Sequence, residues 1–505
     1  MSLLRTKTIE QSIHDTTDPE HQLRKDLGPL DLVVFGVGVM IGAGIFVLTG
    51  QQAGASAGPA VAISFLVAGF ACALAALCYA EFASTVPVAG SAYTFSYATF
   101  GELIAWIIGW DLILEFTVAA AALSVGFSGY LNSLLDGTAF ELPASLQSVS
   151  TETNPDGVVD LSAIVIALIV TGILIGGIKF SSWFNQVVVA IKLTVIGIVI
   201  VGGIGYVTAD NYTPFIPPSE GTAGGTGGWL DVPLIQTLLG YEPSVYGWAG
   251  IFAAAAVVFF AFIGFDIVAT TAEEARNPQR DIPIGILGSL AIVTVLYMAV
   301  SLIITGMQDY RDIDPNDAAP LATAFESHGL DWMSDVISVG ACIGLVVVVM
   351  ILMLGQTRVG FAMGRDGLLP PWLAKVHPTF GTPFRITLIT GVAVAAISGF
   401  VELGTLVDLV SIGTLFAFAL VSAGVLVLRR TRPDLPRGFR VPAAPVVAVV
   451  SVLACVYLML NLIGETWVRF AIWLAIGFVI YFAYGRRHSR LAKPEPEVPT
   501  RQPTA

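Results

Sequence analysis

Hydrophobic runs of about twenty residues, each able to span a bilayer core of roughly 30 Å as a helix, recur along the whole of this 505-residue chain. They fall near 31–50, 59–80, 100–131, 161–180, 184–207 and 249–271. Six more fall near 284–307, 334–362, 386–400, 404–428, 442–463 and 467–484. With 55% hydrophobic and 12% charged residues and a mean hydropathy of +0.81, the composition lies outside the soluble range. The expectation is an all-α polytopic membrane protein of twelve transmembrane helices, with one transmembrane domain over 29–485. A polar segment, 1–28, precedes it, and 486–505 reads as a disordered tail ending KPEPEVPTRQPTA. The first residues carry Arg5, Lys7, Arg24 and Lys25 and no apolar stretch, unlike a cleavable signal peptide.

Basic residues set the orientation, because cytoplasmic loops collect Lys and Arg. With the N-terminus inside, alternate loops hold the clusters Arg276–Arg280, Arg358–Arg385 and Arg429–Arg440. Of 24 basic residues, only Arg311 and Arg469 fall in loops on the opposite side, and Lys192 falls within a span. Both termini are therefore expected in the cytoplasm of a cell-membrane protein. The external loops are acidic, with Asp136, Glu141, Glu152, Asp156 and Asp160 in one and Asp210, Glu220, Asp231 and Glu242 in another. Hence the net charge of −13 carries no nucleic-acid signal.

Enzyme and metal chemistry find little support. The four cysteines lie in apolar segments as core residues, and the five histidines lie in polar ones, so no intramembrane metal site can be assembled from them. No nucleotide-binding loop or appended soluble domain is visible. No catalytic or metal residue is assigned.

The first span reads GVGVMIGAGIFVLTG from Gly36 to Gly50, although glycine costs roughly 1 kcal/mol against alanine inside a helix. Transporters often place their site at two discontinuous helices in matching positions of inverted halves. An odd-numbered repeat inverts topology, so a partner for span one is expected five spans later. Span six reads FFAFIGFDIVATTAEEARNPQRDIP from Phe259, with Gly264 mid-span and the ionisable Asp266 inside the apolar region. Unwinding frees N–H and C=O groups that must find partners. A zwitterionic amino acid supplies them, its carboxylate to N–H groups at a half-helix start and its ammonium to carbonyls. Gly36 and Gly38 are read instead as close-packing residues.

Lys192, in VVVAIKLTVIGIV, lies nine residues into its span, so roughly 13 Å deep at 1.5 Å per residue. Intramembrane lysines are costly and functional by default, which makes Lys192 a candidate for proton coupling. Glu115 and Asp266 are its candidate carboxylate partners and further proton-coupling candidates, and Asp111 lies one turn before Glu115. Glu273, Glu274, Arg276, Arg280 and Asp281 read as a surface cluster or gate at the end of span six.

The segments quoted from spans one and six resemble the cationic amino acid transporter family of the amino acid–polyamine–organocation superfamily. So do PVAGSAYTFSYATFGELIAWIIGWDLILEF (87–116) and GQTRVGFAMGRDGLLPPWLAKVHPTFGTP (355–383). The resemblance implies the leucine-transporter-type fold, a 5+5 inverted repeat over 31–207 and 249–428 with unwound helices one and six, plus two extra helices over 442–484. It implies Ile41, Gly42, Ala43 and Gly44 as receivers of the substrate carboxylate. Phe260, Ala261 and Ile263 become carbonyls for the amine and wall for the side chain, and Leu345 becomes a side-chain specificity position. Lys192 matches the lysine that stands where sodium-coupled relatives hold the ion, so the proton is the coupling ion, with no sodium and no cofactor.

The function expected is import of an amino acid by proton symport and alternating access, neutral side chains favoured. A cationic amino acid or polyamine transporter or exchanger is the alternative. The partners expected are the amino acid and the lipid bilayer, and a small single-span membrane partner is left open.

Overall fold

The computed structural model describes residues 27–85, 91–151, 154–177, 182–221, 228–271, 275–435 and 437–490. The N-terminal segment up to residue 26, Glu152, Glu273 and Glu274, and the tail beyond residue 490 lie outside the described residues.

The hydrophobic runs fold into helices. The first half of the chain gives α1 (Pro29–Met40), α2 (Val61–Thr85), α3 (Ser91–Thr99), α4 (Glu102–Leu135), α5 (Leu161–Ile175) and α6 (Ser182–Gly203). After these come α7 (Gly247–Val258), α8 (Phe265–Thr270), α9 (Pro278–Met307), α10 (Pro320–Glu326) and α11 (Asp331–Arg365). The last four are α12 (Phe384–Phe400), α13 (Leu403–Thr431), α14 (Ala444–Leu460) and α15 (Gly464–Ile480). Eight described stretches are long and apolar enough to cross a membrane, and α1, α5, α12 and α14 are shorter apolar helices beside them.

Local chemistry accounts for several boundaries. Pro29 opens α1 where its missing N–H costs nothing, and the Asp31 carboxylate accepts the Gly28 N–H at 2.9 Å. The run expected over 31–50 does not form one helix. Beyond Met40 the chain is cut and resumes as wide π turns, Gly44–Leu48 and Ala53–Ala57, around the single α turn Thr49–Gln52. Conversely, α4 runs unbroken through Asp111 and Glu115, because both carboxylates point into the bundle and leave the helical ladder intact. Its buried Ala119–Ala122 stretch lets neighbours approach closely, as small residues do where apolar burial alone cannot drive helix association. Gly36 packs against Ser289 of α9 and Gly38 against Val189 of α6, as close-packing residues should.

Two groups of helices emerge. One holds α1, α2, α9 and the α7–α8 stretch, and the other holds α4, α5, α11 and α12. Helix α6 bridges them by packing on α1 and α11, and α13 does so by packing on α2 and α4.

At the basic end of the bundle, Glu81 ties α2 to the end of α13 and the segment that follows it. Its carboxylate accepts Arg429 Nε at 2.8 Å and Nη2 at 2.5 Å from the end of α13, and the Val441 N–H at 2.7 Å. The buried Arg437 guanidinium stands 3.4 Å away. Removing one partner of a buried ion pair strands the other's charge, at about 3–5 kcal/mol. Glu81→Ala is therefore expected to lower the melting temperature of the purified protein steeply, and Arg432→Ala, at a more exposed pair, to leave it nearly unchanged.

Candidate substrate site at two helix breaks

Helix α1 ends at Met40 because Ile41 leaves the helical region, with φ −71° and ψ 94°. The chain turns back into helix two residues later, where the N–H groups of Ile45 and Phe46 both reach the Gly42 carbonyl at 3.3 Å. The second break has the same character. After α7 a 3₁₀ turn, Phe259–Phe262, gives way to extended Ile263, then to Gly264 at φ +120°, before α8 begins. The two breaks touch. A Cβ on Gly44 would run into the Cβ and Cα of Ala261, and one on Gly264 would run into the Val39 side chain. Glycine at 44 permits the approach, and glycine at 264 permits both the approach and a backbone angle that L side chains avoid.

Each break frees carbonyls at the end of one half-helix and N–H groups at the start of the next. Two side chains attend to the carbonyls. Lys192, fully buried on α6, donates to Gly38 O at 2.7 Å and to Ile41 O at 2.8 Å. A cation at the C-terminal end of a helix also meets the negative end of its dipole. Tyr297 of α9 donates its hydroxyl toward Met40 O at 2.6 Å and Ala261 O at 2.8 Å. Further out, Tyr130 of α4 donates to Phe46 O of the π turn at 2.5 Å.

The expected pairing of Lys192 with a carboxylate is not what the structure holds. Its described hydrogen bonds go to backbone carbonyls that the broken end of α1 leaves without helical partners. Asp266 is occupied locally, its Oδ1 accepting the Gly264 N–H at 3.2 Å in the first turn of α8. Glu115 is buried on α4 with Asp266, Asp111 and Thr414 as its neighbours, and Asp111 turns toward Gly413 of α13.

A cavity of about 20 Å³ sits where the breaks cross, room for roughly one water. Gly42, Ala43, Gly44, Phe260, Ala261 and Ile263 line it, so six of the seven residues expected around a substrate come together. Ile41 is beside it rather than on it, its carbonyl turned to Lys192. Leu345 is off the lining too. From α11 the lining residues are Val348 and Leu352, which follow Leu345 at helical spacing. Ala119 and Leu123 of α4 complete the wall, and the sequence reading had not singled them out. Every side chain on the lining is apolar.

A larger cavity of about 500 Å³ opens at the acidic end of the bundle and reaches inward to Val125 of α4. Asp136, Asp160, Asp317, Glu326 and Glu402 line it, with no Lys or Arg among the described lining residues.

Comparison with known proteins fits this geometry. The family model described as amino acid permease matches residues 27–483. The chain is 44% identical to the methylthioribose transporter of Bacillus subtilis, over 97% of this chain and all of that one. It is 45% identical to the branched-chain amino acid permease of the same organism, over 97% and 99%. The vacuolar cationic amino acid transporter 4 of Arabidopsis thaliana is 40% identical over 86% of this chain and 68% of its own.

A methyl group at position 264 has to pay both a positive-φ strain and a clash with Val39. Gly264→Ala is thus expected to destabilise the protein by on the order of 2–4 kcal/mol, read as a lowered midpoint in thermal unfolding. Gly404→Ala, inside α13 where the added Cβ would meet open space, is the comparison free of strain and clash and should not lower the midpoint.

Proposed function

The chain belongs to the amino acid permease family, a multi-pass membrane transporter rather than an enzyme, and on that premise we propose that it imports a neutral, apolar amino acid together with a proton. The observation that carries this reading is the cavity at the crossing of the breaks, where backbone polar groups meet an entirely apolar side-chain wall. The N–H groups that open the helical turns after Gly42 suit a carboxylate, and the broken ends of α1 and α7 offer carbonyls to an ammonium. Val348, Leu352, Leu123 and Ile263 suit a branched aliphatic side chain.

The relatives carry three different substrate names, and the lining favours one. A guanidinium or second ammonium calls for a carboxylate on the wall, and a sugar such as methylthioribose calls for several hydroxyl partners. The described lining residues offer neither, whereas a branched-chain amino acid asks only for what the wall has.

In this reading the protein has twelve spans in two inverted repeats of five, with α14 and α15 in addition. The packing supports it. The two most extensively packed helix pairs are α4 with α11 and α2 with α9, and α5 also packs closely on α12. Each of these pairs is one helix and its counterpart in the other repeat, as a pseudo-two-fold axis demands. The termini lie in the cytoplasm and the acidic cavity opens outward across the cell membrane. Access alternates as the group containing both breaks rocks against the α4–α5–α11–α12 group.

Lys192 carries the coupling. As an ammonium it has three N–H donors, and as an amine two and a lone pair, so its proton alters its hold on the end of α1, the segment that receives the substrate. No sodium and no cofactor take part. Glu115 and Asp266, buried nearby, are further groups through which a proton can pass.

Proteoliposomes test the reading. An inward proton gradient should drive uptake of isoleucine, leucine or valine well above that of arginine or methylthioribose. Lys192→Met should abolish the response to the gradient, and gradient-driven uptake in that variant would remove the lysine from the mechanism. Uptake that requires internal substrate and ignores pH would identify an exchanger instead.

A further inference from the structure

Four carbonyls freed by the two breaks are served by only two side chains, and the two are not equally supplied. Lys192 has at least two N–H groups in either protonation state for Gly38 O and Ile41 O. Tyr297 has a single hydroxyl proton for Met40 O at 2.6 Å and Ala261 O at 2.8 Å. Its ring is fixed, fully buried and packed at 5.3 Å centroid distance against both Phe65 and Phe262, so the hydroxyl cannot swing to other partners. Both of its acceptors belong to residues that line the central cavity. The pair is short of one donor, and a buried carbonyl short of a donor is costly.

We propose that Tyr297 is a positioning residue of the transport site, which holds Met40 O and Ala261 O side by side and leaves between them a deficit of one donor that the substrate ammonium fills. This rests on the transport reading above and adds to it the identity of the carbonyls and the residue that aligns them. One carbonyl comes from each break, so the ammonium completes a bridge between the two broken helices rather than binding to either alone. Tyr297 need not touch the substrate to act.

The proposal fixes the sign of a double comparison. In the native protein one donor is missing, and either an ammonium or the hydroxyl of a 2-hydroxy acid can supply one. In Tyr297→Phe two donors are missing. An ammonium can supply both, and a hydroxyl can supply one. Affinities of purified protein for isoleucine and for 2-hydroxy-3-methylpentanoate are therefore measured on native and Tyr297→Phe transporter. The preference for isoleucine over the hydroxy acid is expected to widen by about tenfold in the variant, one hydrogen bond to a charged donor. A purely structural tyrosine would weaken both ligands alike, so an unchanged or narrowed preference overturns the proposal. Should Tyr297→Phe unfold when purified alone, it is purified in saturating concentrations of each ligand, since binding to the native state stabilises it. Survival in isoleucine but not in the hydroxy acid supports the proposal, and survival in both or in neither overturns it. Native protein that binds neither ligand refutes the functional reading itself, a result the variant does not enter.

Discussion

A peptide group that loses its helical partner inside an apolar bundle has to find another, and the middle of this molecule is organised by that demand. Left unmet, it costs several kcal/mol per group. The chain interrupts two helices at the same depth, which frees polar backbone where side chains could not easily supply polarity. It then brings in Lys192 from α6 and Tyr297 from α9 to serve the exposed carbonyls. Small residues at the crossing, Gly44 against Ala261 and Gly264 against Val39, let the breaks come together. Polarity is thus confined to backbone, while the surrounding wall stays apolar.

The same economy sets what holds the molecule together at its ends. Few charges are buried, and the strongest described cluster, Glu81 with Arg429 and Arg437, sits far along α2 from the breaks and joins α2 to α13. Glu102 plays a similar part at the start of α4, accepting hydroxyls from Tyr97, Tyr481 and Ser489. These contacts fasten each packing group to the helices around it, α2 to α13 and α4 to α3 and the segment after α15. The Tyr130 bond to Phe46 O does reach across, from α4 to the π turn that follows the first break.

Much of this was legible in the sequence, and what was not has physical reasons. Length and apolarity mark the spans, glycine in a helix marks the first break, and topology points from it to the second. The depth of Lys192 follows from rise per residue. Its partners do not, because a free carbonyl leaves no trace in residue type, and a lysine among carboxylates suggests an ion pair first. Along α11, apolar residues on every face leave the sequence nothing to anchor the helix rotation, and the cavity lining carries Val348 and Leu352 rather than Leu345. Tyr297, in LYMAVSLI, did carry a signal. A tyrosine deep in an apolar run needs a partner for its hydroxyl, and that need points to broken backbone nearby. The short helices α3 and α10 were missed because their stability comes from packing on the bundle rather than from an apolar run of their own.

The acidic cavity bears on what the crossing of the breaks experiences. Five carboxylates and no basic side chain among its described lining residues give the mouth a negative potential, focused by the low-dielectric walls. Every 1.4 kcal/mol per unit charge of such potential lowers the local pH by about one unit. On the transport reading proposed above, a proton that reaches the breaks through this cavity comes from a more acidic enclave than bulk water. The effect shrinks as salt screens the carboxylates, over a Debye length of about 8 Å at physiological ionic strength. On the same reading, the potential leaves a zwitterion, which carries no net charge, neither attracted nor repelled, and it repels an anionic amino acid.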